Sequence, residues 1–130
     1  MRTSVAGIAI QGNKIFVARR IAGGEMGEKW EFPGGKCEDG ESCRQALVRE
    51  FLEEFGVEVN VGDQLAETEF EKNGQKRLLK AFLIYFLSFD FKLCEHSGWR
   101  WASLGEIEAM DFMPSDLKLL DGIKYHLGVT

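Results

Sequence analysis

The stretch GGKCEDGESCRQALVREFLEEFGV, residues 34–57, decides how this chain is read, because it sets Glu50, Glu53 and Glu54 close together on what reads as one short helix. Ser42 followed three residues later by Gln45 is a capping-box start, and Gly56 stands where a left-handed residue ends a helix begun there. The spacing therefore predicts a helix over Cys43–Phe55. Steps of about 100° per residue put Leu47, Val48, Phe51, Leu52 and Phe55 on one arc, with the three glutamates on the opposite arc beside Ala46. Arg49 precedes Glu53 by one turn and is expected to pair with it and hold its rotamer.

Like charges at these spacings repel, by roughly a few tenths of a kcal/mol. Either solvent tolerates the stripe, as on many solvated helix faces, or a cation sits among the carboxylates. Converging carboxylates are hard oxygen donors suited to Mg2+ or Mn2+, which substrate phosphates commonly help to ligate. Pro33-Gly34-Gly35 lies immediately upstream. Backbone without Cβ atoms can approach closely, so a carbonyl there can add a ligand and N–H groups can face phosphate oxygens.

Outward from this segment, the chain reads as one domain over residues 1–130, with only two prolines, no repeat and no low-complexity linker. A chain of 130 residues, 45% hydrophobic, buries a sizeable core unaided. Cys37, Cys43 and Cys94 show no C-x-x-C spacing, so neither a disulfide framework nor a zinc site is expected, and a reducing, cytoplasmic setting follows. MRTSVAGIAIQGNK lacks the pattern of a secretion signal, and Leu78–Phe89 is too short and too interrupted by Lys80 to span a membrane. A formal charge of −5 argues against nucleic acid as partner, since affinity for that backbone comes from Lys and Arg. It is compatible with a nucleotide held through a divalent cation.

SVAGIAI and IFVARR read as strands joined by a QGNK turn and expected to pair, with Ile15 and Val17 on one face. IAGGEMGEK reads as a loop leading to a short extended WEF. VEVNVG and LAETEFEKNGQKRLLKAFLIYFLSF supply further strands, with Asn73-Gly74 as a hairpin turn, and WRWASL a last one. Ser103 with Glu106 caps a short helix, and Ser115 is expected to open a final helix, DLKLLDGIKYHL. The order is that of an α+β fold, a mixed sheet flanked by helices. His96 and His126 are isolated in the sequence and suggest neither a metal pair nor a nucleophile's base.

From Gly35 the chain reads Gly, five residues, Glu41, seven residues, Arg49-Glu50-Phe51, one residue, Glu53-Glu54, one residue, Gly56-Val57. This resembles the Nudix box of the MutT-like Nudix hydrolases at every defined position. Accidental agreement at seven single-type positions is on the order of one in 10⁸ at a given start. The resemblance extends to the N-terminal hairpin, ARR, WEFPGGK, the W-x-W strand and MPSD, and is similar to the MutT and CTP pyrophosphohydrolase branch.

The resemblance implies the Nudix α/β/α sandwich and a metal-dependent hydrolase converting a nucleoside triphosphate to monophosphate and pyrophosphate, acting as a monomer or homodimer. It implies that Glu50, Glu53, Glu54 and Glu95, with a Gly34 or Gly35 carbonyl, hold Mg2+ or Mn2+. Glu50 and Glu53 become the catalytic carboxylates, steadied by Arg49, with Glu50 or Glu95 as general base. Arg20 would meet substrate phosphate, and Glu31 and Phe32 would lie along the nucleotide. Asp116 stands where the oxidised-guanine enzyme has asparagine and CTP-type relatives have Pro-x-Asp, as in Pro114-Ser115-Asp116. An ionised Asp accepts from a cytosine amine or from guanine N–H groups. The alternatives are a nucleotide-sugar or dinucleoside polyphosphate hydrolase, or a non-hydrolytic Nudix-fold binding module.

Overall fold

The structure, a computed structural model, describes residues 1–128. Its strands are β1 (Arg2–Ile8), β2 (Ile10–Gln11), β3 (Lys14–Arg20), β4 (Trp30–Glu31), β5 (Gly34–Lys36), β6 (Val59–Lys72), β7 (Gln75–Phe86) and β8 (His96–Ser103). Helix α1 (Cys43–Phe55) follows β5, and α2 (Leu104–Ala109), α3 (Pro114–Leu117) and α4 (Leu120–Leu127) close the described chain. One sheet runs β5-β1-β7-β6, with β1 and β7 parallel and the other pairs antiparallel. The other is antiparallel, with β2, β4 and β8 all pairing with β3.

Alternation along the strands divides the core in two. Val5, Phe16, Ala18, Phe82 and Ile84 pack against Leu47, Phe51 and Phe55 of α1. Ala6, Ile8, Ile15, Val17 and Ala81 pack against Ile107, Leu119, Leu120 and Ile123 on the other side. Helices thus cover both faces, the expected α/β/α sandwich. Ile15 and Val17 share a face, as their spacing required.

The N-terminal hairpin differs from expectation. Only Ile10 and Gln11 pair with Ile15 and Lys14, while β1 leaves for the other sheet and lies between β5 and β7. Val5, Ala6 and Ile8 are all buried, and such an unbroken apolar run belongs to a strand covered on both faces rather than to one arm of an edge hairpin. VEVNVG and LAETEFEK merge into the single strand β6, with register shifts between Val61, Gln64 and Ala66. Asn73 and Gly74 adopt φ of 54° and 75°, the twist-matched turn their pairing predicted.

Helix α1 has the expected bounds, with both arms of the Ser42–Gln45 capping box formed and Gly56 at φ 67°. A Cβ on Gly7 of β1 would sit 2.5 Å from the Phe51 ring, so the missing side chain lets α1 lie close against the sheet. The last helix departs from the sequence reading. Met113 stands at its N-cap with no side-chain bond, Pro114 takes the first turn, and the helix breaks into α3 and α4. Ser115 therefore does not cap it.

Candidate active site

The side chains of α1 do not divide as the helical wheel suggested. Val48 and Leu52 are 40% and 53% exposed, whereas Glu54 is 3% exposed. Glu54 lies one heptad beyond Leu47 and so falls about 20° from it, on the buried arc. The apolar arc is Leu47, Phe51 and Phe55, and the glutamates fan from its edge outward: Glu54 buried, Glu50 half-buried, Glu53 in solvent.

Glu50 and Glu54 meet Glu95, which the chain before β8 supplies, and one ligand oxygen from each lies within 4.8 Å of the others. Strand β5 passes beneath them, held by Val5↔Gly35 and Ala6↔Gly34 pairing. A Cβ on Gly35 would stand 2.5 Å from the Glu50 carboxylate, and one on Gly34 would stand 1.9 Å from the Val5 carbonyl oxygen. The two glycines are thus what allows the carboxylates and the β5 backbone to share this space. Glu53 lies outside the group, with its side chain 56% exposed and 3.3 Å from Arg49.

Arg49 makes its main pair elsewhere than expected. Its guanidinium holds Glu41 by two bonds of 2.7 and 2.9 Å, donates to the Lys36 carbonyl at 3.0 Å and to Glu50 at 2.8 Å, and reaches Glu53 only at 3.3 Å. A planar fork bound bidentately is rigid. The bond from Arg49 holds the Glu41 carboxyl down to about 2. Arg49 therefore ties the loop after β5 to α1 and fixes the Glu50 rotamer.

Burial opposes ionisation inside the group. It pushes the Glu54 carboxyl up to about 10, with Glu50, Glu31 and Glu95 adding repulsion, and it raises Glu50 against the pull of Arg49. Glu54 Oε2 is buried without a hydrogen-bond partner. A buried acceptor left unmade is costly, and hard oxygens that lack donors and crowd one another fit a divalent cation.

The family profile of the NUDIX domain matches residues 1–122. The chain belongs to the Nudix hydrolases. It is 38% identical over 117 residues to the CTP pyrophosphohydrolase of Escherichia coli, covering 90% of this chain and 87% of that one. To the Escherichia coli 8-oxo-dGTP diphosphatase it is 32% identical over 124 residues, covering 95% and 96%. Among solved structures, the Escherichia coli ORF135 protein superposes with a TM-score of 0.86 at 36% identity, over 96% of this chain and 89% of that one. The MutT protein of Methanosarcina mazei Go1 gives 0.83 at 26% identity, over 96% and 94%. The Nudix fold and a MutT-like Nudix enzyme are thereby established, as the box resemblance implied. Among the described residues no helix is long and apolar enough to cross a membrane, and the three cysteines are free.

Beside the Nudix carboxylates runs a cleft of about 1100 Å³, lined in part by Arg20, Glu31, Glu54, Arg77, Glu95 and Asp116. Arg20 donates to Glu31 at 3.1 Å. Phe32 is a core aromatic, 4.9 Å from the Phe112 ring, and its backbone N–H donates to Asp116 Oδ2 at 2.9 Å. Burial, reinforced by Glu31, pushes the Asp116 carboxyl up to about 8.

Two residues of the cleft escaped the sequence reading. His96 is not isolated: its Nε2 lies 2.7 Å from Glu31 Oε2 and 3.8 Å from Glu54 Oε1, contacts across the fold that no local spacing signals. Arg77 is 8% exposed, with Nε and Nη1 unpartnered. The alternation of β7, which buries Arg77 with Leu79 and Ala81, was the signal that could have found it.

Proposed function

We propose that this Nudix hydrolase converts a nucleoside triphosphate carrying a modified, damaged or surplus base to its monophosphate and pyrophosphate, with Mg2+ as the ion and Mn2+ as a substitute. The reading rests on Glu50, Glu54 and Glu95 converging over Gly35 at the margin of a nucleotide-sized cleft. These carboxylates and the Gly34 or Gly35 carbonyl would hold the cation, and Glu53, in solvent beside them, would join from the open side.

A divalent ion bound there offsets the charge of phosphate oxygens and lowers the pKa of a water. Glu50, whose affinity for a proton burial raises and whose rotamer Arg49 fixes, accepts the proton of the attacking water. The water oxygen bonds to phosphorus, the bridging oxygen leaves with the monophosphate, and pyrophosphate is released. Arg20 stands at the cleft to bind phosphate, and the Phe32 backbone and Asp116 face the nucleotide base. A protonated Asp116 offers a donor as well as an acceptor, which suits cytosine, with its N3 acceptor and exocyclic amine. Such an enzyme serves to clean the cytoplasmic nucleotide pool.

The test is turnover of CTP, dCTP, 5-methyl-dCTP, dGTP, 8-oxo-dGTP and a nucleotide sugar with Mg2+, separating monophosphate and pyrophosphate from orthophosphate. Triphosphates yielding monophosphate and pyrophosphate are expected. Turnover of the sugar alone would move the activity to another diphosphate, and no turnover at all would leave a binding module.

A further inference from the structure

His96 is 5% exposed, and its ring lies 5.1 Å from the Phe55 ring with 13° between their planes. Its Nδ1 is buried with no hydrogen-bond partner, while Nε2 faces the carboxylates of Glu31 and Glu54. Those partners assign the proton to Nε2, which donates to Glu31.

Glu31 accepts at both oxygens, Oε1 from Arg20 and Oε2 from His96. Its strand, β4, has only Trp30 and Glu31, which pair with Arg19 and Ala18 of β3. Trp30 also bonds the Asp111 and Met113 backbone, so the strand itself is held by its neighbours, and the two side-chain bonds are what fix the Glu31 carboxylate. Phe32, the next residue, carries the N–H bound by Asp116. The same Nε2 lies 3.8 Å from Glu54 Oε1, a member of the carboxylate group, and ligand atoms of Glu31, Glu54 and His96 all lie within 4.8 Å of one another.

We propose that His96 is a positioning residue for nucleotide binding: its Nε2–H holds Glu31, and through it the Arg20 guanidinium, in place at the cleft. The role rests on the nucleotide hydrolysis proposed above. Without the donor, Glu31 turns toward solvent or toward Glu54, and the Arg20 pair loses its direction.

Three variants separate this role from simple packing. His96→Phe keeps a flat ring over Phe55 but no donor, His96→Gln keeps an N–H donor, and Glu31→Ala removes the recipient. For the best substrate of the panel, His96→Phe is expected to raise KM roughly tenfold, the loss of about one hydrogen bond to a charged group, with a smaller change in kcat. His96→Gln is expected to recover most of that. In the Glu31→Ala background, His96→Phe should add nothing.

An unchanged KM in His96→Phe, or full additivity with Glu31→Ala, would overturn the proposal, as would a KM effect that His96→Gln fails to relieve while both variants melt like the parent. If the parent protein turns over no nucleotide, the hydrolase reading fails separately. The same roughly tenfold loss is then sought in calorimetric binding of CMP and dGMP, and its absence overturns the positioning role.

Discussion

The two sides of the cleft are built on opposite principles. On one, Arg20, Glu31 and His96 form a chain of bonds, and Asp116 is satisfied by the Phe32 N–H. On the other, Glu50, Glu54 and Glu95 crowd together, and Glu54 Oε2 has no partner at all. The paired side has direction, which suits recognition of one ligand shape, even though Arg20 Nε and His96 Nδ1 are buried without partners. The carboxylate side ionises only against burial and mutual repulsion and leaves Glu54 Oε2 without a partner, and so favours whatever brings positive charge. Keeping Glu54 buried beside two further carboxylates is costly, and a cation-holding role accounts for that cost.

The largest expected effect breaks the carboxylate side. Glu54→Gln keeps size and burial while removing a ligand charge, and turnover should fall by on the order of a hundredfold or more, with a higher Mg2+ requirement and an unchanged circular dichroism spectrum. Near-parent turnover would show that Glu54 is only a buried acid. The paired side should respond more mildly. Asp116→Asn still accepts from the Phe32 N–H and keeps a donor but loses the second acceptor, so the fold should persist while the contact to the cytosine amine is lost. The ratio of kcat/KM for cytosine over guanine nucleotides should shift by about tenfold, the scale of one hydrogen-bonded base contact. An unchanged ratio would remove Asp116 from base reading.

Local features of the sequence carried much of this site. The Ser42–Gln45 box, Gly56 and the Asn73-Gly74 turn each act over a few residues, and each forms as read. The box carboxylates and the glycines beneath them were legible for the same reason. What escaped depends on packing across the fold. The burial of Glu54 follows from the true apolar arc of α1, which the exposed Val48 and Leu52 obscured. His96 and Arg77 reach the cleft only because β8 and β7 bring them there, and Arg49 prefers Glu41 because the loop after β5 folds back on α1. The departure of β1 to a second sheet is likewise a matter of which faces need covering.

The most direct test of the cation-holding claim is thermal unfolding from about pH 5 to about pH 9, with and without Mg2+. Folded Glu54 keeps its proton to about 10, whereas the unfolded side chain loses it near the ordinary 4.5 of a glutamate. The folded state thus binds more protons across this window, and the metal-free protein must lose stability as pH rises. Mg2+, which favours the ionised carboxylates, should stabilise the protein increasingly toward high pH, and Glu54→Gln should remove that rise and lessen the metal-free decline to the share that Asp116 contributes. No stabilisation by Mg2+ at any pH, or the same stabilisation in Glu54→Gln, would contradict the account.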